Sequence, residues 1–216
     1  MEQLLHVATQ AVTTASVSTL PVIVGVLPHL GHETPTRTPA RTRFGFFPGT
    51  FNPLTVAHLA LADAAISSGC DQVFFCLPLV SVDKEDIDDV VARLAQTARF
   101  LAGYAHLTAA VMNVGLYVNI AEAARRFLPG ARPVLLCGAD KIEQIFDQAY
   151  YADPLEQVLS SLFAKADIWA SPRSGSILPE HPNVRELSLD PAFLKVSSSE
   201  VRDRLAAGLS VDHLVP

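Results

Sequence analysis

The sequence predicts a doubly wound parallel α/β sheet, and three observations predict it. Apolar runs of strand length recur at Phe44 to Phe47, Asp71 to Pro78, His106 to Met112 and Arg132 to Cys137, as expected of strands covered on both faces. Segments of helical periodicity separate these runs, which is the pattern of repeated βαβ units. Half of the 216 residues are hydrophobic, enough for a sizeable core in one domain of ordinary size.

Residues 1–43 do not match the remainder and read as an N-terminal extension and linker ahead of a domain over 44–216. Met1 to Ser18 is rich in Ala, Thr and Val with Glu2 as its charge, Leu20 to Leu27 is apolar and β-branched, and Thr34 to Arg43 is a Pro/Thr/Arg linker. The start lacks a Lys/Arg n-region and a compact h-region, so a secretory signal is not expected. The expectation is a helix or strand on the domain edge that can be removed without unfolding the rest.

Phe44 to His58 runs from an aromatic strand through breaks at Pro48-Gly49 and Asn52-Pro53 into helical periodicity near Thr55. Such a loop lies at the carboxyl ends of the strands, where backbone N–H groups and a helix N-terminus face anions. Thr55 and His58, three apart, are expected to project from one helix face towards a phosphate, with His58 in a polar cleft.

Helical spacing continues to Ser68 and is ended by Gly69, after which Asp71 to Pro78 is a strand. Lys84 follows that strand's carboxyl end and is a candidate phosphate cation. Ile87 to Tyr104 reads as a surface helix in which Arg93 and Arg99 have no spacing that marks a site. After the strand at His106 to Met112, the chain turns at Asn113-Val114-Gly115, and Tyr117 to Leu128 is helical.

Gly138-Ala139-Asp140-Lys141 directly follows the strand ending at Cys137; Gly138 lets backbone approach a ligand, and Asp140 is expected both to accept from sugar hydroxyls and to cap the next helix. Ile142 to Tyr151 and Pro154 to Ala164 are predicted helices, with Tyr150-Tyr151 able either to pack or to stack on a base. Asp167 to Ala170 and Val184 to Leu189 are the last strands. Val196-Ser197-Ser198-Ser199-Glu200-Val201-Arg202 then sets three hydroxyls before an amphipathic helix. A capping box explains the serines but not Arg202, whose place in the first turn opposes the helix dipole and asks for an anion nearby.

Composition narrows the function class. A net charge of −6 argues against a general nucleic-acid binder and favours a small charged ligand held by local cations. Cys70, Cys76 and Cys137 form no C-x-x-C pair and read as buried thiols of a reducing compartment. No apolar run approaches the roughly 20 residues that span a bilayer, so a cytoplasmic protein without a membrane partner is expected. The oligomeric state is left open between monomer and homo-oligomer.

Gly49-Thr50-Phe51-Asn52-Pro53-Leu54-Thr55-Val56-Ala57-His58 resembles the nucleotidyltransferase signature G-x-F-x-P-x-[HT]-x-G-H, with Ala57 in the usual Gly position. His29-Leu30-Gly31-His32 also spells H-x-G-H but lacks the full loop and reads as a surface loop. Val-Ser-Ser-Ser-Glu-Val-Arg is similar to the I-S-S-T-x-I-R element of the same superfamily. Tyr117 to Ile120, Val134 to Asp140 and Ser171-Pro172-Arg173 resemble successive elements of the nicotinate mononucleotide adenylyltransferases, a likeness over roughly 44–216.

The resemblance implies a Rossmann-like nucleotidyltransferase fold and adenylyl transfer from ATP to nicotinate or nicotinamide mononucleotide, with pyrophosphate released. It implies that Thr55, His58, Lys84 and Arg202 serve the phosphates, and that Gly49, Thr50, Phe51, Gly138, Asp140, Ser197, Ser198 and Ser199 bind the nucleotide. Tyr117, Asn119, Tyr150, Tyr151 and Arg173 would bind the acceptor; the Trp that relatives often stack on the pyridine ring is absent, and the paired tyrosines stand in its neighbourhood. Mg²⁺ would be bound through nucleotide phosphates, with no protein metal cage. A cytidylyltransferase or another phosphate acceptor, and a weakly active nucleotide sensor, are the alternatives. A dinucleotide-binding oxidoreductase is disfavoured because no G-x-G-x-x-G follows the first strand.

Overall fold

A computed structural model of the chain describes residues 2–26, 43–79, 90–172 and 177–216. The N-terminal helix α1 (Glu2–Val17) leads into β1 (Ile23–Val26). The chain then alternates: β2 (Arg43–Pro48), α2 (Val56–Ser67), β3 (Gln72–Pro78), α3 (Val90–Leu101), β4 (Leu107–Met112), α4 (Tyr117–Phe127), β5 (Arg132–Gly138) and α5 (Ala139–Ile145). A 3-10 turn (Gln148–Tyr150), α6 (Leu155–Lys165), β6 (Asp167–Ser171), β7 (Val184–Glu186) and α7 (Ser198–Ala206) complete it.

The seven strands of the described residues form one sheet in the order β1-β4-β3-β2-β5-β6-β7. All neighbours pair in parallel except β1, which runs antiparallel to β4. The chain moves outward from β2 to β4, then returns to place β5 against the other side of β2. That reversal opens a crevice between β2 and β5 at their carboxyl ends, where ligands bind in open α/β sheets.

The apolar runs are continuous because alternate residues serve two separate cores. Phe47, Val73, Phe75, Leu77, Val134 and Leu136 face the layer of α1, α2 and α3. Phe44, Phe46, Phe74, Cys76, Leu135 and Cys137 face the layer of α4, α5 and α6. Helix α2 stops at Gly69, whose φ of 106° suits a residue without Cβ, and Cys70 N–H closes back on the Ala65 carbonyl at 3.0 Å. The three cysteines are buried free thiols; burial pushes Cys70 and Cys137 up to about 12. Among the described residues no helix is long and apolar enough to cross a membrane.

Residues 2–26 are more integrated than an appendage. Ala8 and Ala15 are fully buried in the same core as α3, and β1 lies in register with β4 from Ile23 opposite Met112 to Val26 opposite Ala109. Asn113 fastens the join: its amide donates to the carbonyls of Ser18 and Leu20, and its Oδ1 accepts from Val22 N–H at 2.8 Å. The small side chains that make α1 weakly hydrophobic in sequence are what let it lie close to α3. His29-Leu30-Gly31-His32 and the linker up to Thr42 lie outside the described residues.

Candidate active site

The loop after β2 is tied by its carbonyl groups. Thr50 carbonyl accepts from Arg93 Nη1 of α3 at 3.1 Å, Asn52 carbonyl from Arg202 Nη1 at 2.6 Å, and Pro53 carbonyl from Ser198 Oγ at 2.8 Å. Between them Phe51 has a φ of 44°, a strained value for a side chain of its size. Its ring compensates by packing against Phe47, Phe75 and His58 with centroids 5.6, 5.2 and 5.2 Å away. Gly49 is bare for the same reason: a Cβ there would sit 2.7 Å from the Phe51 ring. Phe51 is therefore only 3% exposed and forms a wall of the cleft.

Thr55 is the N-cap of α2, extended at φ −124° and ψ 163°. It does not share a helix face with His58, as the spacing suggested, because the cap precedes helical geometry. It is fully buried, and its hydroxyl lies 2.8 Å from His58 Nδ1. Thr55 N–H also donates to Nδ1 at 3.0 Å. A backbone amide can only donate, so Nδ1 is the acceptor and the neutral ring carries its proton on Nε2. Thr55 thus orients His58 from behind. The ring is half-buried between Phe47 and Phe51, and this burial lowers its pKa to about 4. At neutral pH His58 is a neutral N–H donor within aromatic packing, not a histidine loosely facing a polar cleft.

The C-terminal segment closes this wall. Ser197 caps α7 by accepting from Glu200 N–H at 3.1 Å, and Arg202 Nη2 donates to Ser199 Oγ at 3.0 Å. With Nη1 on Asn52, two of the guanidinium's five donors are used and others can be offered to a phosphate. Arg204 instead pairs with Glu200 at 3.3 Å. Beyond α7, the Leu214 carbonyl accepts Val56 N–H, an orphan donor of the α2 N-terminus, at 3.0 Å.

These walls enclose a cleft of about 380 Å³. Gly49, Thr50, Phe51, Ala57, His58, Ser197, Ser198, Ser199 and Arg202 line one side. Gly138, Asp140, Tyr117, Tyr150 and Tyr151 line the other. Asp140 is no cap: α5 begins one residue earlier, Gly138 is its N-cap, and Asp140 stands exposed in the first turn. Tyr117 is buried with its hydroxyl pointed at the Leu136 carbonyl 3.4 Å away, so it forms wall; burial drives its pKa well upward. Tyr151 donates to the Ile145 carbonyl at 3.1 Å. Asn119 is exposed and not part of the lining, since two residues along a helix from Tyr117 turn a side chain by about 200°. Lys84 and Arg173 lie outside the described residues.

Sequence reasoning passed over Arg93, which looked like any surface arginine, and Leu214. It also passed over Lys141, Phe193, Leu194 and Val196 of the lining. Lys141, directly after Asp140, could have been found from its position at a strand's carboxyl end; the others carry no local signal. Among the described residues no cluster of three His, Cys, Asp or Glu side chains could hold a metal.

Comparison with known proteins gives the family and the fold. The cytidylyltransferase-like family profile matches residues 46–204, from β2 to α7. A protein of Bordetella pertussis named as a probable nicotinate-nucleotide adenylyltransferase is 27% identical over 182 residues, 81% of this chain and 91% of its own. One of the same name from Clavibacter michiganensis is 29% identical over 191 residues, covering 83% and 90%. Among solved structures, nicotinic acid mononucleotide adenylyltransferase of Plasmodium falciparum complexed with NaAD shares the fold with a TM-score of 0.59 and 16% identity, over 79% of this chain and 87% of that one.

Proposed function

Because the chain belongs to the cytidylyltransferase-like family, we propose that it is a nucleotidyltransferase that moves an adenylyl group from ATP to nicotinate or nicotinamide mononucleotide, a step of NAD biosynthesis in the cytoplasm. The observation that carries the reading is the meeting of His58 and Arg202, 144 positions apart, on one wall of a cleft at the sheet's reversal point. The names of the relatives support the acceptor.

In this reaction an acceptor phosphate oxygen attacks the α-phosphorus of ATP, the new P–O bond forms, and the bond to the bridging oxygen breaks to release pyrophosphate. No protein nucleophile is required. The chain contributes position and donors: backbone N–H groups of the loop, the His58 Nε2–H, the Ser197 and Ser199 hydroxyls and the Arg202 guanidinium, aimed at charge that grows in the transition state, while Ser198 holds the loop through the Pro53 carbonyl. Because His58 is neutral, it adds a directed hydrogen bond, and the positive charge on that wall comes from Arg202. Asp140 and Tyr150 face the sugar and ring of a mononucleotide. Asp140 is the one carboxylate of the described lining, a donor set that fits Mg²⁺ bound through nucleotide phosphates; the ion would neutralise phosphate charge.

Phosphate contacts do not read the base, so the family name keeps a cytidylyl donor as the second reading. Pyrophosphate release measured across ATP, CTP, GTP and UTP, each with nicotinate mononucleotide, nicotinamide mononucleotide and phosphopantetheine, tests both. Turnover with ATP and a pyridine mononucleotide is expected. Turnover with CTP alone would move the assignment to the cytidylyl reading, and none with any pair would remove it.

A further inference from the structure

We propose that Arg93 is a positioning residue that locks the Thr50–Phe51 peptide so that the Phe51 N–H faces the substrate phosphates. The proposal rests on the nucleotidyl-transfer reading. Arg93 is half-buried on α3, is not part of the cleft lining, and donates from Nη1 to the Thr50 carbonyl at 3.1 Å. Thr50 and Phe51 do line the cleft.

The Thr50–Phe51 peptide is trans, so its carbonyl and its N–H lie in one plane and point in opposite directions. A carbonyl held by a group outside the cleft therefore turns the N–H inward. This orientation is not the relaxed one. A flip of that peptide would rotate φ of Phe51 by about 180°, away from its strained value of 44°. The unflipped form needs something on the carbonyl, and Arg93 supplies a charged donor there. A cation on the carbonyl side also polarises the peptide and strengthens the donor on its far side. The next two carbonyls, Asn52 and Pro53, are tied by Arg202 and Ser198, from the opposite end of the chain. Arg93 is the anchor from the first half of the fold, and it acts on the peptide where the strain sits.

The test compares the full chain with Arg93→Ala, Arg93→Lys and the exposed control Arg99→Ala, by pyrophosphate release with ATP and nicotinate mononucleotide and by calorimetry with ATP alone. For Arg93→Ala, kcat should fall about 10²-fold, the scale of a misplaced reacting group. Its ATP affinity should fall about tenfold, one charge-assisted hydrogen bond. The KM for nicotinate mononucleotide should stay within about twofold. Guanidinium ion added to Arg93→Ala should recover part of the rate, Arg93→Lys should fall between, and Arg99→Ala should match wild type. Wild-type kcat and ATP affinity in Arg93→Ala would overturn the proposal. So would a loss equal to the fall in folded protein that neither guanidinium nor Lys restores. If Arg93→Ala does not fold, Arg93→Gln is held to the same criteria. Should the wild-type chain turn over no substrate pair yet bind ATP, the transfer reading fails and ATP affinity alone decides on Arg93; a chain that binds no ATP overturns both.

Discussion

The backbone N–H of Thr55 donates to Nδ1 of His58 at 3.0 Å, and this bond decides which imidazole nitrogen carries the proton. Protonating Nδ1 would break it, and burial between Phe47 and Phe51 opposes the cation as well. His58 therefore enters the cleft as an Nε2–H donor.

A pH titration of stability should report this directly. With the folded pKa lowered from 6.5 to about 4, the unfolded chain takes up a proton at this site that the folded chain refuses. The contribution is complete above pH 6.5 and is lost as pH falls to about 4, on the order of 3 kcal/mol in all. Urea unfolding between pH 4 and 7 should show a slope for wild type that shrinks in His58→Asn. The same variant should lose about 10²–10³-fold in kcat. An identical slope in both proteins would show that His58 titrates normally.

Gly49→Ala should be damaging although the loop is short and half-exposed. The new methyl would meet Phe51 ring atoms at 2.7 and 2.8 Å, and that ring is confined by Phe47, Phe75 and His58. Overpacking of this kind costs about 1–3 kcal/mol, and kcat should fall because His58 shares the cluster. Gly103→Ala, where a Cβ meets nothing within 4 Å, is the control. Equal thermal midpoints for the two variants would mean that the Phe51 ring moves freely.

The paired tyrosines should separate. Tyr151 spends its hydroxyl on the Ile145 carbonyl, so Tyr151→Ala should lower stability together with activity. Tyr150→Ala should raise the acceptor KM by the equivalent of about 1–3 kcal/mol of stacking, leaving the ATP KM nearly unchanged. Unaltered acceptor kinetics would take Tyr150 out of the site.

Removal of residues 1–42 should destabilise the protein, the reverse of what composition suggested. It would uncover the α3 face that buries Ala8, Ala11 and Ala15, and would strip β1 from the edge of β4. A loss of about 3 kcal/mol would lower Tm by about 10 °C in a chain of this size. A truncated protein with the full-length Tm would restore α1 and β1 to the status of an appendage.

The sequence by itself determined the alternation of strands and helices, the doubly wound class and the two motifs whose residues line the cleft. Those features are local: an apolar run, a helix period, a Gly-x-Phe-x-Pro loop and a capped serine helix each declare themselves within about fifteen residues. It also placed His58, Ser197 to Ser199 and Arg202 on the cleft wall that the structure shows. Only the tertiary structure decided what lies behind that wall. Thr55 orients His58 because a cap residue is extended, not helical. Asn119 points away because a helix turns a side chain through about 200° in two residues. Arg93 reaches the Thr50 carbonyl across 43 positions, and the Leu214 carbonyl meets Val56 N–H across 158. Contacts of that separation leave no periodic trace, since a carbonyl accepts from any donor that the packing of distant elements brings within 3 Å. The same reason hid α1, whose alanines read as bland until the α3 face that covers them is known.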